Sequence, residues 1–291
     1  MKVVPLKKIL VFGASGFIGS NILGYFRKKE EFEVVGYSSG NCNLLIQRDV
    51  IETLSSYGPE TSVVFCSAIT RSVEDSWDAM LKNITMIHNF ITAIPHSGFR
   101  SIIFMSSVDV YGMPSQTFPI HEDTQFNPIG YYGLSKLICE KLLIINLCSK
   151  CAIGILRIPG IYGAGDRFKS IIGKFVKKVV SHETIQVQGE GSAKRDYVEI
   201  GDLCRLMDLF LLQRFSGIVN IATGTSTTIN DLITTIGELG GIKPIVEFVT
   251  KNSVPTGDLC FDTSRLKSLC NNFRFKDCES GMSEYMDRLI F

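Results

Sequence analysis

Five short runs rich in valine, isoleucine and phenylalanine, "KILVFG", "EVVGY", "SVVFCSA", "SIIFMSS" and "AIGILRI", recur about 20 to 45 residues apart, with amphipathic stretches between them. The runs are continuously apolar instead of alternating, so each strand must be covered on both faces. That requirement is met by a parallel sheet with helices above and below it, and the pattern predicts a doubly wound α/β fold. The chain has 291 residues, 45% of them hydrophobic, which suffices for one large domain or two that share an interface.

The alternation lapses after "RIPGIYGAGDR". A helix is expected at "SIIGKFVKKVV", a strand at "TIQVQG", then "RDYVEIGDLCRLMDLFLL" and "GIVNIATG". The expected organisation is a Rossmann domain over residues 1–165, with 195–223 returning to it, and a smaller C-terminal cap formed mainly by 166–291. No repeat, charge block or low-complexity linker separates the two parts.

Lysine plus arginine at 30 against aspartate plus glutamate at 29 leaves a net charge of +1, so no field covers the whole surface. Nucleic acid and membranes are not expected partners, and any anionic ligand must be held locally. The cysteines are odd in number, scattered and mostly in apolar segments, as reduced core cysteines are, which fits a cytoplasmic protein. Cys148 and Cys151 are spaced C-x-x-C without a second pair, and read as structural. The four histidines show no metal spacing. The basic, apolar N-terminus reads as a strand entering a glycine turn and not as a signal peptide, and no apolar run is long enough to span a membrane.

"VFGASGFIGS" sets Gly13, Gly16 and Gly19 directly after the first strand and at the mouth of a helix. Gly13 permits the tight turn, Gly16 lets the backbone approach phosphates, and Gly19 lets helix and strand pack closely; the helix N-terminus then offers unpaired N–H groups to a pyrophosphate. The acid that would bind an adenosine ribose should end the second strand. "EVVGYSSGNCNL" has Tyr37, Ser38 and Ser39 there instead, with no carboxylate to repel a 2′-phosphate and no arginine to attract one. This favours NADP, with NAD as the alternative.

"GYYGLSK" holds two tyrosines and a lysine. Residues four apart share a helix face, so Lys136 lies beside Tyr132 and Tyr131 points elsewhere. "SIIFMSSVDVYG" ends the fourth strand with Ser106 and Ser107, at the sheet edge where ligands bind.

These strings together, G-x-x-G-x-x-G, S-x-x-V-Y-G and P-x-x-x-Y-G-x-S-K-x-x-x-E (Pro128, Tyr132, Gly133, Ser135, Lys136, Glu140), resemble the extended short-chain dehydrogenase/reductases of the sugar-nucleotide epimerase/dehydratase branch. The similarity continues through "LRIPGIYGAGDR", "RDYVEIGDL" and "VNIATGTSTTINDL", to about Leu232. The resemblance implies Tyr132 as the acid/base, Lys136 as the cation that favours its phenolate and binds the nicotinamide ribose, and Ser107 as a hydrogen-bond partner of the reacting oxygen. A free phenol is only about 0.1% ionised at pH 7, and bringing its pKa to about 7 takes about 4 kcal/mol of anion stabilisation.

On the cofactor side the resemblance implies Gly13, Ser15, Gly16, Phe17, Ile18 and Gly19, then Ser38, Ser39, Asn43, Leu44, Ala68, Asn83 and Lys136. On the substrate side it implies Ser107, Asp109, Tyr132 and Arg195, the last for the diphosphate of a nucleoside-diphosphate sugar. It also implies a homodimer through the helices at about 74–95 and 131–150.

Three positions depart from the pattern: Val108-Asp109 replaces the Asp-Glu pair of dehydratases, which argues against elimination of water; Gly160 replaces a frequent asparagine; and "VPTGDLCFD" lacks a second nucleotide-binding arginine. The second strand, with no acid near Ser38 to hold NAD and with Ser38 and Ser39 able to bond a 2′-phosphate, favours an exchangeable NADP(H), so the expected activity is reduction of a 4-keto-6-deoxy sugar nucleotide, with 4-epimerisation as the alternative. A non-catalytic dinucleotide-binding regulator is the alternative of another class, though such members typically lose the tyrosine or the lysine.

Overall fold

A computed structural model describes residues 7–112, 118–249 and 257–290. The basic start Met1 to Leu6 and Val254 to Thr256 of "VPTGDLCFD" lie outside the described residues.

The chain begins as the spacing predicts, with β1 (Lys7–Phe12), α1 (Phe17–Arg27), β2 (Phe32–Tyr37), α2 (Gln47–Leu54), β3 (Thr61–Phe65), α3 (Trp77–Ala93), β4 (Ser101–Ser107), α4 (Tyr131–Leu147) and β5 (Ala152–Ile158). Next come β6 (Gly160–Tyr162), α5 (Ile171–Val180), β7 (Ile185–Gln188), β8 (Lys194–Arg195), β9 (Tyr197–Glu199), α6 (Ile200–Leu212) and β10 (Gly217–Asn220). The chain closes with β11 (Thr227–Thr228), α7 (Ile229–Gly240), β12 (Val246–Val249), α8 (Ser264–Leu269) and α9 (Cys278–Ile290).

The six-stranded sheet has the order β10-β5-β4-β3-β1-β2. β1 pairs in parallel with both β2 and β3, and β3 with β4. Every residue of β3 and β4 is buried, as strands covered on both faces must be. Strand order reverses between β1 and β3, and the crevice beyond their carboxyl ends is where such sheets hold ligands. Phe12, Phe65, Phe90 and Phe104 fill the core beneath it, the first three in mutual ring contact. Among the described residues no helix is long and apolar enough to cross a membrane.

Within the described residues, 7–112, 126–157 and 204–219 form one compact unit, and 118–125, 158–203, 220–249 and 257–290 form a second. These bounds differ from the expected 1–165 and 195–223, and the pairing explains why. β6 pairs with β9, and β8 with β11, so residues on both sides of α5 stay in the second unit and the return starts only at Cys204. Residues 118–125 join the second unit because Ile120 bridges Phe261 and donates its N–H to the Cys260 carbonyl. The second unit has its own core of Ile172, Val176, Leu232, Ile236, Tyr285 and their neighbours.

Candidate active site

The glycine turn forms because only glycine fits it. At Gly13 φ is +81°, and a Cβ there would lie 2.8 Å from the Ser67 nitrogen. Gly13 and Ala14 both donate to the Tyr37 carbonyl at 2.9 Å, which ties the turn to the end of β2. A Cβ on Gly19 would come within 2.2 Å of the Gly13 carbonyl oxygen, so α1 can start this close to the turn only with glycine there. Gly16 is the N-cap of α1 and supplies no capping side chain. The first-turn N–H groups of α1 are thus left for an anion, and Ser15, Phe17 and Ile18 surround that N-terminus in sequence. The backbone cradle fits a dinucleotide diphosphate.

Beyond β2, Ser38 is drawn into a turn: its N–H donates to Asn41 Oδ1 at 2.7 Å, and Ser39 is exposed beside it. Asn43 Oδ1 accepts from the Leu45 N–H at 3.1 Å. The Leu44 side chain lies in the hydrophobic core, and its carbonyl accepts from Asn89 at 2.9 Å. Ala68 follows β3 at the sheet's carboxyl edge. Asn83 is buried on α3, where it accepts from the Ile69 N–H at 2.8 Å and donates to the Ile69 carbonyl and to Ser135 Oγ. Its amide therefore ties the loop after β3 to α4.

Tyr132 and Lys136 lie one turn apart near the start of α4, whose inner face runs Gly133, Lys136, Glu140, Leu143 and Leu147. Tyr131 is exposed, as the spacing predicts. The N-cap of α4 is Gly130, and the missing cap is supplied from the β3–α3 loop by Asp75, whose carboxylate accepts from the Tyr132 N–H at 2.8 Å. A Cβ on Gly130 would lie 2.5 Å from that carboxylate, which accounts for the glycine.

Ser107 ends β4, and its hydroxyl accepts from the Asp109 N–H at 3.1 Å. Burial pushes the Tyr132 phenol up, Asp109 pushes it further, and Arg71 and a hydrogen bond from Ser107 pull it back. Burial likewise pushes the Asp109 carboxyl up against the pull of Arg71, which pairs with it at 3.0 Å. Lys136 is buried with its Nζ donating to the Met105 carbonyl at 2.6 Å, 5.7 Å from the centre of the Tyr132 ring. Desolvation there pulls its pKa down to about 8. Ser107, Asp109, Tyr132 and Lys136 are thus brought together in the first unit.

Behind them is a buried network absent from the expectations. Arg157 on β5 is fully buried and donates bidentately to Glu140, at 3.1 and 2.8 Å, and to the Tyr111 hydroxyl at 2.9 Å. Glu140 also accepts from Ser106, next to Ser107. A lone arginine inside the apolar run "AIGILRI" was the available signal, since a buried charge requires a partner. Arg71 and Asp75 were also unforeseen, although both follow the third strand at the edge where ligands bind. Arg195 lies in the second unit on β8, where its guanidinium donates to the carbonyls of Lys194 and Gly257, each at 2.7 Å.

A parallel sheet with a glycine turn at its switch point and a serine–tyrosine–lysine set at the next strand edge defines a dinucleotide-dependent enzyme of the short-chain dehydrogenase/reductase kind. The model of the NAD dependent epimerase/dehydratase family matches residues 9–222, and the chain belongs to that family. The protein is similar to a putative UDP-glucose 4-epimerase of Methanocaldococcus jannaschii, 28% identical over 245 residues that cover 77% of this chain and 79% of that one. It is also similar to the GDP-6-deoxy-D-talose 4-dehydrogenase of Aggregatibacter actinomycetemcomitans, 24% identical over 97% of this chain and 98% of that one. Among solved structures, UDP-glucose 4-epimerase of Thermus thermophilus in complex with NAD superposes with a TM-score of 0.85 at 22% identity, over 97% of this chain and 99% of that one. A GDP-6-OMe-4-keto-L-xylo-heptose reductase from C. jejuni superposes with a TM-score of 0.83 at 16% identity, over 98% of both chains.

Proposed function

We propose that the protein is an NADPH-dependent reductase of a 4-keto-6-deoxy sugar nucleotide, with Ser107, Tyr132 and Lys136 as its reacting set. The observation that carries the reading is the placement of Tyr132 and Lys136 one turn apart on α4 beside Ser107 at the end of β4. When bound, the nicotinamide dinucleotide supplies or accepts the hydride. Tyr132 Oη gives its proton to the carbonyl oxygen that becomes the hydroxyl, and takes it back in the reverse direction. The Ser107 hydroxyl holds that oxygen in line with the phenol. Lys136, still an ammonium at pH 7, favours the phenolate and so lowers the cost of releasing the proton.

Two relatives support reduction at C4: a GDP-6-deoxy-D-talose 4-dehydrogenase alignable over 97% of this chain, and the reductase from C. jejuni. The absence of a carboxylate between Tyr37 and Ile46 supports NADPH over NADH. Arg195 is assigned to the diphosphate of the sugar nucleotide, where one arginine can bind bidentately. Exposed Trp77 and Leu81 on α3, with Tyr131, Leu134 and Ile145 on α4, support a homodimer through these helices. The nine free cysteines support a reducing, cytoplasmic location. The second reading, a sugar-nucleotide 4-epimerase, is favoured by the relative from M. jannaschii and the NAD-bound epimerase structure.

Purified protein is expected to consume NADPH stoichiometrically with a 4-keto-6-deoxy sugar nucleotide, and in the reverse direction to form NADPH from NADP and GDP-6-deoxy-D-talose. Interconversion of UDP-glucose and UDP-galactose without net cofactor use would replace the reductase by the epimerase. Tyr132→Phe should lower turnover at least about a hundredfold, while Tyr131→Phe should be mild. Equal losses in the two variants would refute the assignment of the proton carrier.

A further inference from the structure

Tyr132 is faced by groups from four elements: Ser107 at the end of β4, Asp109 in the turn after it, Arg71 and Asp75 in the β3–α3 loop, with Asp75 accepting from the Tyr132 backbone N–H, and Lys136 on its own helix. Of the two carboxylates, Asp75 is engaged at the backbone N–H, and Asp109 is the one that acts against the phenol, because a carboxylate beside it resists formation of a phenolate. It cannot withdraw easily. Its N–H is bonded to Ser107, and its carbonyl lies so close to α4 that a Cβ on Gly133 would come within 2.6 Å of it. Lys136 does not neutralise it, since its Nζ is bonded to the Met105 carbonyl over the Phe104 ring. The cation that reaches Asp109 is Arg71, whose Nη1 lies 3.0 Å from Oδ1.

We infer that Arg71 is a positioning residue for proton transfer at Tyr132: by pairing with Asp109 it cancels the negative charge that the chain itself sets beside the reacting phenol. The Arg71 side chain is 67% exposed, so the pair contributes little to holding the fold, and its effect should be read in the chemistry. The inference rests on Tyr132 being the proton carrier of the proposed reaction.

The test is the pH profile of kcat/KM for sugar-nucleotide oxidation, with GDP-6-deoxy-D-talose, or with UDP-glucose if only that is turned over. The rate should rise with pH as the phenol ionises. In Arg71→Ala this limb should move up by about one pH unit, with roughly tenfold lower activity below it. Arg71→Lys should keep the wild-type limb, Asp109→Asn should move it down, and Arg71→Ala with Asp109→Asn should bring it back near wild type. An unmoved limb in Arg71→Ala, or a double variant that retains the full upward shift, overturns the inference. If Arg71→Ala fails to fold by circular dichroism, Asp109→Asn decides alone, and a limb that stays or rises refutes the argument. Tyr132→Phe separates the two levels: if it stays active the proposed reaction scheme fails, and if it is inactive while the limbs coincide only the role of Arg71 fails.

Discussion

Replacing Lys136 by methionine should abolish activity and stabilise the ligand-free protein. Lys136 is 4% exposed, and its ammonium meets one carbonyl at 2.6 Å and the faces of Phe104 and Tyr132. These replace water poorly, and burial pulls its pKa from 10.5 to about 8. At about 1.4 kcal/mol per pH unit, the charged side chain costs the fold about 3 kcal/mol at neutral pH. Lys136→Met removes that cost with a stem of similar length and gives up one hydrogen bond, about 1 kcal/mol. The variant should thus be more stable at pH 7 by about 2 kcal/mol. The sign over pH is fixed by linkage. Between the folded pKa of about 8 and the unfolded 10.5, the unfolded chain holds a proton that the folded one has released, so wild-type stability rises with pH through that window. The advantage of methionine should accordingly shrink from pH 8 upward and vanish near the top of the window. Urea unfolding of both ligand-free proteins at several pH values measures this. A variant less stable than wild type at pH 7, or a difference independent of pH, would refute the account of Lys136 as a buried cation whose partners only partly replace water.

The parts of the fold legible in the sequence are those with local causes. β3 and β4, and β1 from Ile9 onward, announce themselves because a parallel strand buried on both faces carries a continuous apolar run at its centre, and the glycine turn because Gly13 and Gly19 answer to backbone sterics within one turn. The Tyr132–Lys136 register follows from helical spacing alone. What stays hidden depends on partners far along the chain. β6 is three residues long, and only its pairing with β9 shows that the chain has left the central sheet by then. Asp75 caps a helix that begins 56 positions later, so its role requires the folded loop. Glu140 was visible as the last letter of a motif, and Arg157 as a charge in an apolar strand, but nothing local says that they belong to each other.

Two further outcomes follow from the geometry. Gly19→Ala puts a methyl group 2.2 Å from the Gly13 carbonyl oxygen, a backbone atom that can yield only by opening the turn. Dinucleotide affinity measured by calorimetry should fall at least about tenfold, and an unchanged Kd would mean that the turn does not bind the diphosphate. Glu140→Gln keeps the shape of the side chain but leaves the guanidinium of Arg157, fully buried and held at 2.8 Å, without its counter-charge. Breaking such a pair costs about 3 kcal/mol or more in denaturant unfolding. Glu140→Met combined with Arg157→Met removes both charges, so the double variant should lose less than the sum of the two single ones. Strict additivity would mean that the two residues do not act as a pair. Because Glu140 also accepts from Ser106, the residue before Ser107, Glu140→Gln should lower kcat as well, through the misplaced end of β4.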